Sequence, residues 1–209
     1  MADNPGGGFY AKAYGLSEQD TPQYYADWAS TYDHELVNGK GYAMPRRCAE
    51  AIDQYVPDRD TIIADLGCGT GLLGGRLKQL GYTIIDGVDY SPEMLTEAAK
   101  TGAYRMLAEA NLNEPFAAAD GTYGAVAVMG VFSFGHVYPA ALDEMRRIVE
   151  PSGHIIIGVN EKFVEEGSLT AKLDQMVADH LIELVADEYG DHMPGSGVNG
   201  WVYVARRVG

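Results

Sequence analysis

The hydrophobic pattern changes character near Pro57. Between Phe9 and Pro57, apolar and aromatic residues recur at helical spacing. Tyr24, Tyr25, Trp28 and Tyr32 form one stripe, and Ala43, Arg47, Ala51 and Tyr55 form part of another. Beyond Pro57 the period shortens. An apolar, β-branched run at 61–64 predicts a buried parallel strand, and 83–88, 104–107, 123–129 and 154–159 predict four more strands. Helical stretches separate them. Residues 72–80 predict a helix closed by Gly81. Ser91-Pro92-Glu93 predicts a helix start, with serine as the cap and proline in the first turn. Further helices are predicted near 140–149 and 169–180, and Pro151-Ser152-Gly153 predicts a turn into the fifth strand. Two last strands are predicted near 182–189 and 201–206.

Strands alternating with helices imply a parallel sheet covered on both faces. The last pair is joined by 191–200, too short and glycine-rich for a crossover helix, so the final strand is expected to enter antiparallel. Residues 1–57 read as a polar, glycine-rich tail and a helical lid, and 58–209 as one α/β domain. The two are expected to form one structural unit.

Charge narrows the partners. The 209 residues carry a formal net charge of -15, with 15 Lys and Arg against 30 Asp and Glu. A nucleic-acid binder normally presents a basic patch, so DNA and RNA are poor expectations, as is an anionic membrane surface. The two cysteines, Cys48 and Cys68, read as reduced thiols of a cytoplasmic protein. No zinc spacing appears, and His34, His154 and His180 form no metal-ligand set. The start, Met1-Ala2-Asp3-Asn4-Pro5, does not read as a signal peptide. No apolar run approaches the roughly 20 residues of a membrane span.

Chemistry concentrates after the first strand. Asp65-Leu66-Gly67-Cys68-Gly69-Thr70-Gly71 places three glycines in a strand-to-helix loop, where the backbone can turn tightly and approach a ligand. In a parallel sheet that loop lies at the carboxyl edge, where ligands bind. Gly69-Thr70-Gly71-Leu72-Leu73-Gly74 also satisfies the dinucleotide fingerprint G-x-G-x-x-G. Asp89, about 20 residues on, suits a ribose in either class of cofactor. Asp65 separates them: a carboxylate beside the loop repels pyrophosphate and attracts an amino-acid ammonium group. An NAD(P)-dependent oxidoreductase and a non-catalytic binding protein, for instance one for S-adenosylmethionine, stand among the readings of such a loop.

Ala64-Asp65-Leu66-Gly67-Cys68-Gly69-Thr70-Gly71 resembles the first motif of class I S-adenosylmethionine-dependent methyltransferases. Gly87-Val88-Asp89-Tyr90-Ser91-Pro92-Glu93-Met94-Leu95 resembles their second. Glu109-Ala110-Asn111-Leu112-Asn113-Glu114-Pro115 resembles their adenine-contacting segment, with Asn111 where aspartate is frequent. An amide oxygen can still accept from the adenine amino group. Tyr25-Ala26-Asp27-Trp28-Ala29-Ser30-Thr31-Tyr32-Asp33, Gly41-Tyr42-Ala43-Met44-Pro45-Arg46 and Val131-Phe132-Ser133-Phe134-Gly135-His136-Val137 resemble the methyltransferase-like proteins of the Williams–Beuren syndrome region.

This resemblance implies a doubly wound, Rossmann-like seven-stranded sheet of order 3-2-1-4-5-7-6, with strand 7 antiparallel. It implies S-adenosyl-L-methionine as cofactor and S-adenosyl-L-homocysteine as product. Asp89 would hold the ribose hydroxyls, Tyr90 would flank the adenine, and the Leu112 N–H would reach a ring nitrogen. Tyr32 and Arg46 would bind the methionine carboxylate, a task suited to the forked donors of arginine. Gly67, Cys68, Gly69, Gly71, Met94, Ala110 and Gly130 complete the expected cofactor contacts.

Methyl transfer from a sulfonium releases a neutral thioether, so no general acid is needed. Alignment with the acceptor supplies much of the catalysis, and a base is needed only if the nucleophile holds a proton. Expected acceptor-side residues are Phe132 and Phe134 as an apolar wall, His136 as a candidate base, and Tyr10 and Tyr14 folding over the site. Glu161, Glu165 and Glu166 read as a solvated helix start that could meet a cation. Asp191 and His192 read as a solvent-exposed turn, and Trp201 as a strand residue packed on the sheet. The expected acceptor is a small molecule.

Overall fold

A computed structural model describes residues 34–132 and 137–209. The stripe of Tyr24, Tyr25, Trp28 and Tyr32, and with it most of the expected lid, lies outside the described residues. A π-helical turn, His34–Gly39, leads into helix α1, Met44–Tyr55. Pro45 sits in the first turn of α1, where its missing N–H costs nothing. The helix buries Met44, Cys48, Ala49 and Ile52, and the Tyr82 hydroxyl donates to the Val56 carbonyl at its exit, 2.6 Å away.

Strands and helices then alternate as the periodicity requires. They are β1 (Ile63–Leu66), α2 (Leu72–Gln79), β2 (Ile85–Asp89), α3 (Pro92–Lys100), β3 (Met106–Glu109), β4 (Tyr123–Met129), α4 (Ala141–Ile148) and β5 (Val149–Asn160). Two helices follow, α5 (Glu161–Glu166) and α6 (Ser168–Ala178), before β6 (Ile182–Met193) and β7 (Val198–Arg207). The sheet order is β3-β2-β1-β4-β5-β7-β6. β7 pairs antiparallel with both β5 and β6, and the other pairs are parallel. Order and direction are those implied by the resemblance. No described helix is long and apolar enough to cross a membrane.

Alternation along the strands gives each face of the sheet its own core. Ala64, Leu66, Val126, Val128, Ile155 and Ile157 pack with Leu142, Met145, Leu169 and Leu173. Ile63, Ala125, Ala127 and Ile156 pack with Cys48, Ile52, Leu73 and Leu77. Burial on both faces explains why these strands read as continuous apolar runs.

Two local expectations need correction. Pro151-Ser152-Gly153 does not precede β5; it lies inside it as a bulge. Tyr123 pairs with Val149 and Ala125 with His154, so the extra residues are absorbed between them. Ser152 takes a positive φ of 67°, and a Cβ at Gly153 would lie 2.6 Å from the Gly124 carbonyl. The final hairpin is also longer than expected. β6 runs to Met193, and a 3₁₀ turn at Pro194–Ser196 replaces the long loop. His192 is therefore not in a solvent-exposed turn but buried in β6, its ring edge-on to Tyr42 at 5.2 Å.

Candidate cofactor site

The glycine loop is anchored to the end of β2. The Gly67 and Cys68 N–H groups both donate to the Val88 carbonyl, and the Gly71 N–H donates to the Cys68 carbonyl at 2.9 Å. All three loop glycines have positive φ, but they serve different neighbours. A Cβ at Gly67 would lie 2.2 Å from Val131 Cγ1. One at Gly71 would lie 3.1 Å from the Ala98 backbone and from the Tyr104 ring. At Gly69 a Cβ would meet nothing within 4 Å. Gly67 and Gly71 thus answer to the protein's own packing, and Gly69 presents bare backbone to open space.

Asp89 closes the other side. Its Oδ2 accepts the Gly69 N–H at 2.9 Å and its Oδ1 accepts the Ser91 N–H at 3.0 Å. The Tyr90 N–H also reaches the carboxyl, which keeps acceptor capacity for a further donor such as a ribose hydroxyl. Ser91 then caps α3, its Oγ accepting from the Met94 N–H at 3.2 Å. Met94 itself is buried, and Tyr90 is half-buried beside Asp89.

Asp65 lies under the loop, 1% exposed. The Tyr104 hydroxyl donates to its Oδ2 at 2.8 Å, and the Gly74 N–H also reaches it. Burial pushes the Asp65 carboxyl up to about 7, opposed by the Tyr104 hydrogen bond and reinforced by the charge of Asp89. Burial likewise raises Asp89, against its backbone hydrogen bonds. The Cys68 thiol is raised, again chiefly by burial, and is no thiolate at neutral pH.

The charge arrangement is specific. Three carboxylates are buried among the described residues: Asp65, Asp86 and Asp89. Asp86 has a guanidinium, with Arg105 Nε and Nη2 at 2.9 and 2.6 Å. Asp65 and Asp89, the pair at the loop, have none among the described residues. A buried carboxylate is costly unless paired. The loop thus carries two buried acidic groups with no described cation between them, an arrangement that suits a positively charged ligand group better than a pyrophosphate.

The dinucleotide match weakens further at its last glycine. A Cβ at Gly74 would sit 2.4 Å from the Tyr104 ring, and one at Gly87 2.8 Å from it. These glycines make room for Tyr104, the residue that holds Asp65. The sequence pattern marked Tyr104 only as a strand start; its clue was small residues at 74 and 87, which become neighbours only in the fold.

Other expected residues are placed as follows. Ala110 donates to the Asp89 carbonyl at 3.0 Å, which sets the adenine-type segment next to the ribose-type acid. Asn111 is exposed, its Oδ1 accepting from the Asn113 N–H at 3.0 Å, and Leu112 is buried. Gly130 follows β4 with a φ of 71°, where a Cβ would lie 2.7 Å from the Tyr42 hydroxyl. Arg46 lies on the outer side of α1 and pairs with Glu50 at 2.8 Å. Its neighbour Arg47 turns the other way, donating to the carbonyls of Glu188, Asp191 and Gly200. Phe132 is fully buried and stacks on Phe163 at 6.5 Å, so it belongs to the core and is no open wall. Glu161 accepts from the Tyr189 hydroxyl and the Asn199 N–H, bracing the last hairpin. Trp201 packs between Tyr189 and Tyr203. Tyr10, Tyr14, Tyr32, Phe134 and His136 lie outside the described residues.

Residues 64–157 match a family described as a methyltransferase domain. Over 137 residues, 64% of this chain and 55% of the relative, the sequence is 33% identical to human methyltransferase-like protein 27. The chain spans about half the length of the curated relatives it matches. In fold it is similar to the [4+2]-cyclase SpnF, with a TM-score of 0.69 and 14% identity over 92% of this chain and 97% of that one. It is also similar to the 1,6-didemethyltoxoflavin-N1-methyltransferase of Burkholderia thailandensis, solved with 1,6-didemethyltoxoflavin and S-adenosylhomocysteine. There the TM-score is 0.63 and the identity 17%, over 90% of this chain and 91% of that one.

Proposed function

We propose that this chain, which carries a class I S-adenosylmethionine-dependent methyltransferase domain, uses it to methylate a small-molecule acceptor. The observation that carries the cofactor half of this reading is the pair Asp65 and Asp89, buried at an open glycine loop without a cation beside them among the described residues. When bound, S-adenosylmethionine supplies an electrophilic methyl group on a sulfonium.

The chain's residues divide the work of holding it. The backbone of Gly67, Cys68, Gly69 and Gly71 forms the cradle. Asp89 takes the ribose hydroxyls with its remaining lone pairs, and Tyr90, Met94, Ala110, Asn111 and Leu112 enclose the adenine. Asp65 faces the amino-acid cation. Arg46 and Tyr32 take the methionine carboxylate. Arg46 gives up its pairing with Glu50 to do so, at small cost because exposed ion pairs contribute about 0–1 kcal/mol. Gly130, at the end of β4, borders the methyl group.

The acceptor half rests on charge. A chain of net charge -15 repels polyanions, which disfavours nucleic acid as acceptor. The toxoflavin enzyme, similar in fold, holds a small heterocycle. The similarity to a human methyltransferase-like protein supports kinship with the Williams–Beuren region group. Phe134, His136, Tyr10 and Tyr14 are the acceptor-side candidates within this reading.

The test is transfer of label. The chain is incubated with methyl-labelled S-adenosylmethionine and, separately, with a small-metabolite fraction and a macromolecular fraction of a cell extract. Label in the metabolite fraction is expected; label confined to protein or RNA would overturn the small-molecule reading.

A further inference from the structure

Among the described residues, Asp65 is buried between charged and polar groups that offer it no positive countercharge. From the loop it faces Cys68, from β2 Asp89, from α1 Cys48, and from the segment before β3 the Tyr104 hydroxyl. α2 contributes only the Gly74 N–H, and the β4 residue paired with it is Ala127. Asp89 is the charge that acts on it, and it has the same sign. Two carboxylates sharing a low-dielectric site without a cation do not both ionise readily; one keeps a proton.

The surroundings accept either form of Asp65. A phenol hydroxyl can donate to a carboxylate or accept from a carboxylic acid, so Tyr104 retains its 2.8 Å contact in both. Asp89 is held differently. Backbone N–H groups, which only donate and so favour the ionised form, reach it from Gly69, Ser91 and Tyr90, against the single one from Gly74 at Asp65. The proton therefore belongs on Asp65. Burial pushing its carboxyl up to about 7 agrees with this placement.

We propose that Asp65 carries a proton in the cofactor-free chain and releases it when the cationic half of the cofactor arrives, so that cofactor capture is linked to loss of one proton. The O–H bond of the acid breaks, the proton passes to solvent, and the carboxylate left behind neutralises the incoming positive charge. This rests on the reading of the loop as a S-adenosylmethionine site. It makes the site prefer cationic ligands more strongly as pH rises, and it gives neutral adenosine compounds no such gain.

The test is titration calorimetry of the full chain between pH 5 and 7, in buffers of differing ionisation enthalpy, which counts protons released. With S-adenosylmethionine, up to one proton should appear in the buffer, and affinity should rise by as much as about tenfold per pH unit before levelling near pH 7. Methylthioadenosine, which keeps the adenine and ribose and lacks the cationic half, should bind without releasing a proton. Asp65→Asn should still bind S-adenosylmethionine, more weakly, with the proton release abolished. Binding without proton release in the unaltered chain, or release that persists in Asp65→Asn, overturns the proposal and leaves the cofactor reading standing. If S-adenosylmethionine fails to bind at every pH, the cofactor reading itself falls.

Discussion

The Tyr104 hydroxyl lies 2.8 Å from Asp65 Oδ2, and the Tyr104 ring fills the space that side chains at Gly74 and Gly87 would need. One aromatic residue thus explains two glycines and the position of a buried acid. Gly74→Ala should cost about 1–3 kcal/mol of stability through overpacking. Urea denaturation measures it. Combining it with Tyr104→Leu should recover part of that loss, because the two sites share one contact. A neutral Gly74→Ala would contradict this packing.

Gly69 and Gly67 should separate binding from folding. Gly69→Val places its side chain in open space at a φ of 54°. The backbone strain is about 1–2 kcal/mol, and S-adenosylmethionine affinity should fall well beyond what that strain explains. Gly67→Ala should instead lower the melting temperature, since its Cβ meets Val131. Normal binding by Gly69→Val would place the ligand elsewhere.

Asp89→Ala should weaken S-adenosylmethionine by at least about 1.5–3 kcal/mol, the worth of charge-assisted hydrogen bonds. It also orphans the Gly69 and Ser91 N–H groups. Asp89→Asn leaves an acceptor for one of them, so it should fold better than the alanine variant and still bind weakly. Calorimetric affinity together with a melting curve distinguishes the two effects.

Stability against pH should show two opposing contributions. Asp65 is raised from 3.8 to about 7, so between those values the folded chain holds the extra proton. Its contribution therefore falls as pH rises toward 7. His192 is lowered from 6.5 to about 4, chiefly by burial and then by Arg47. In that window the unfolded chain holds the extra proton, so the His192 contribution is lost as pH falls from 6.5 to about 4. The two slopes oppose each other over the shared range. Asp65→Asn should unmask a stability that rises with pH, and His192→Phe one that falls. Guanidinium denaturation of the cofactor-free chain at pH 4.5, 5.5 and 6.5 reads both.

The centre of the parallel sheet was legible because β4 and the second half of β5, buried on both faces, leave largely apolar runs, and Ser91-Pro92 announced its helix as a cap does. The antiparallel ending was legible from a connection too short for a crossover. The bulge in β5 was hidden, because Pro151-Ser152-Gly153 has turn chemistry whether it ends a strand or kinks one. His192 was misread because Asp191-His192-Met193 carries no apolar run; only the length of the hairpin buries it. At the site, the loop and Asp89 are local motifs and could be read directly. The directions of Arg46 and Arg47 could not, since adjacent helical residues point about 100° apart and only the fold shows which faces the sheet.

The central claim is that the loop at 67–71 takes S-adenosylmethionine and no dinucleotide. Side-by-side calorimetric titration of the chain with S-adenosylmethionine and with NADH at pH 7 tests it most directly. Saturable one-to-one binding of S-adenosylmethionine, with no heat from NADH beyond dilution, is the expected result; saturable NADH binding with none by S-adenosylmethionine would contradict it.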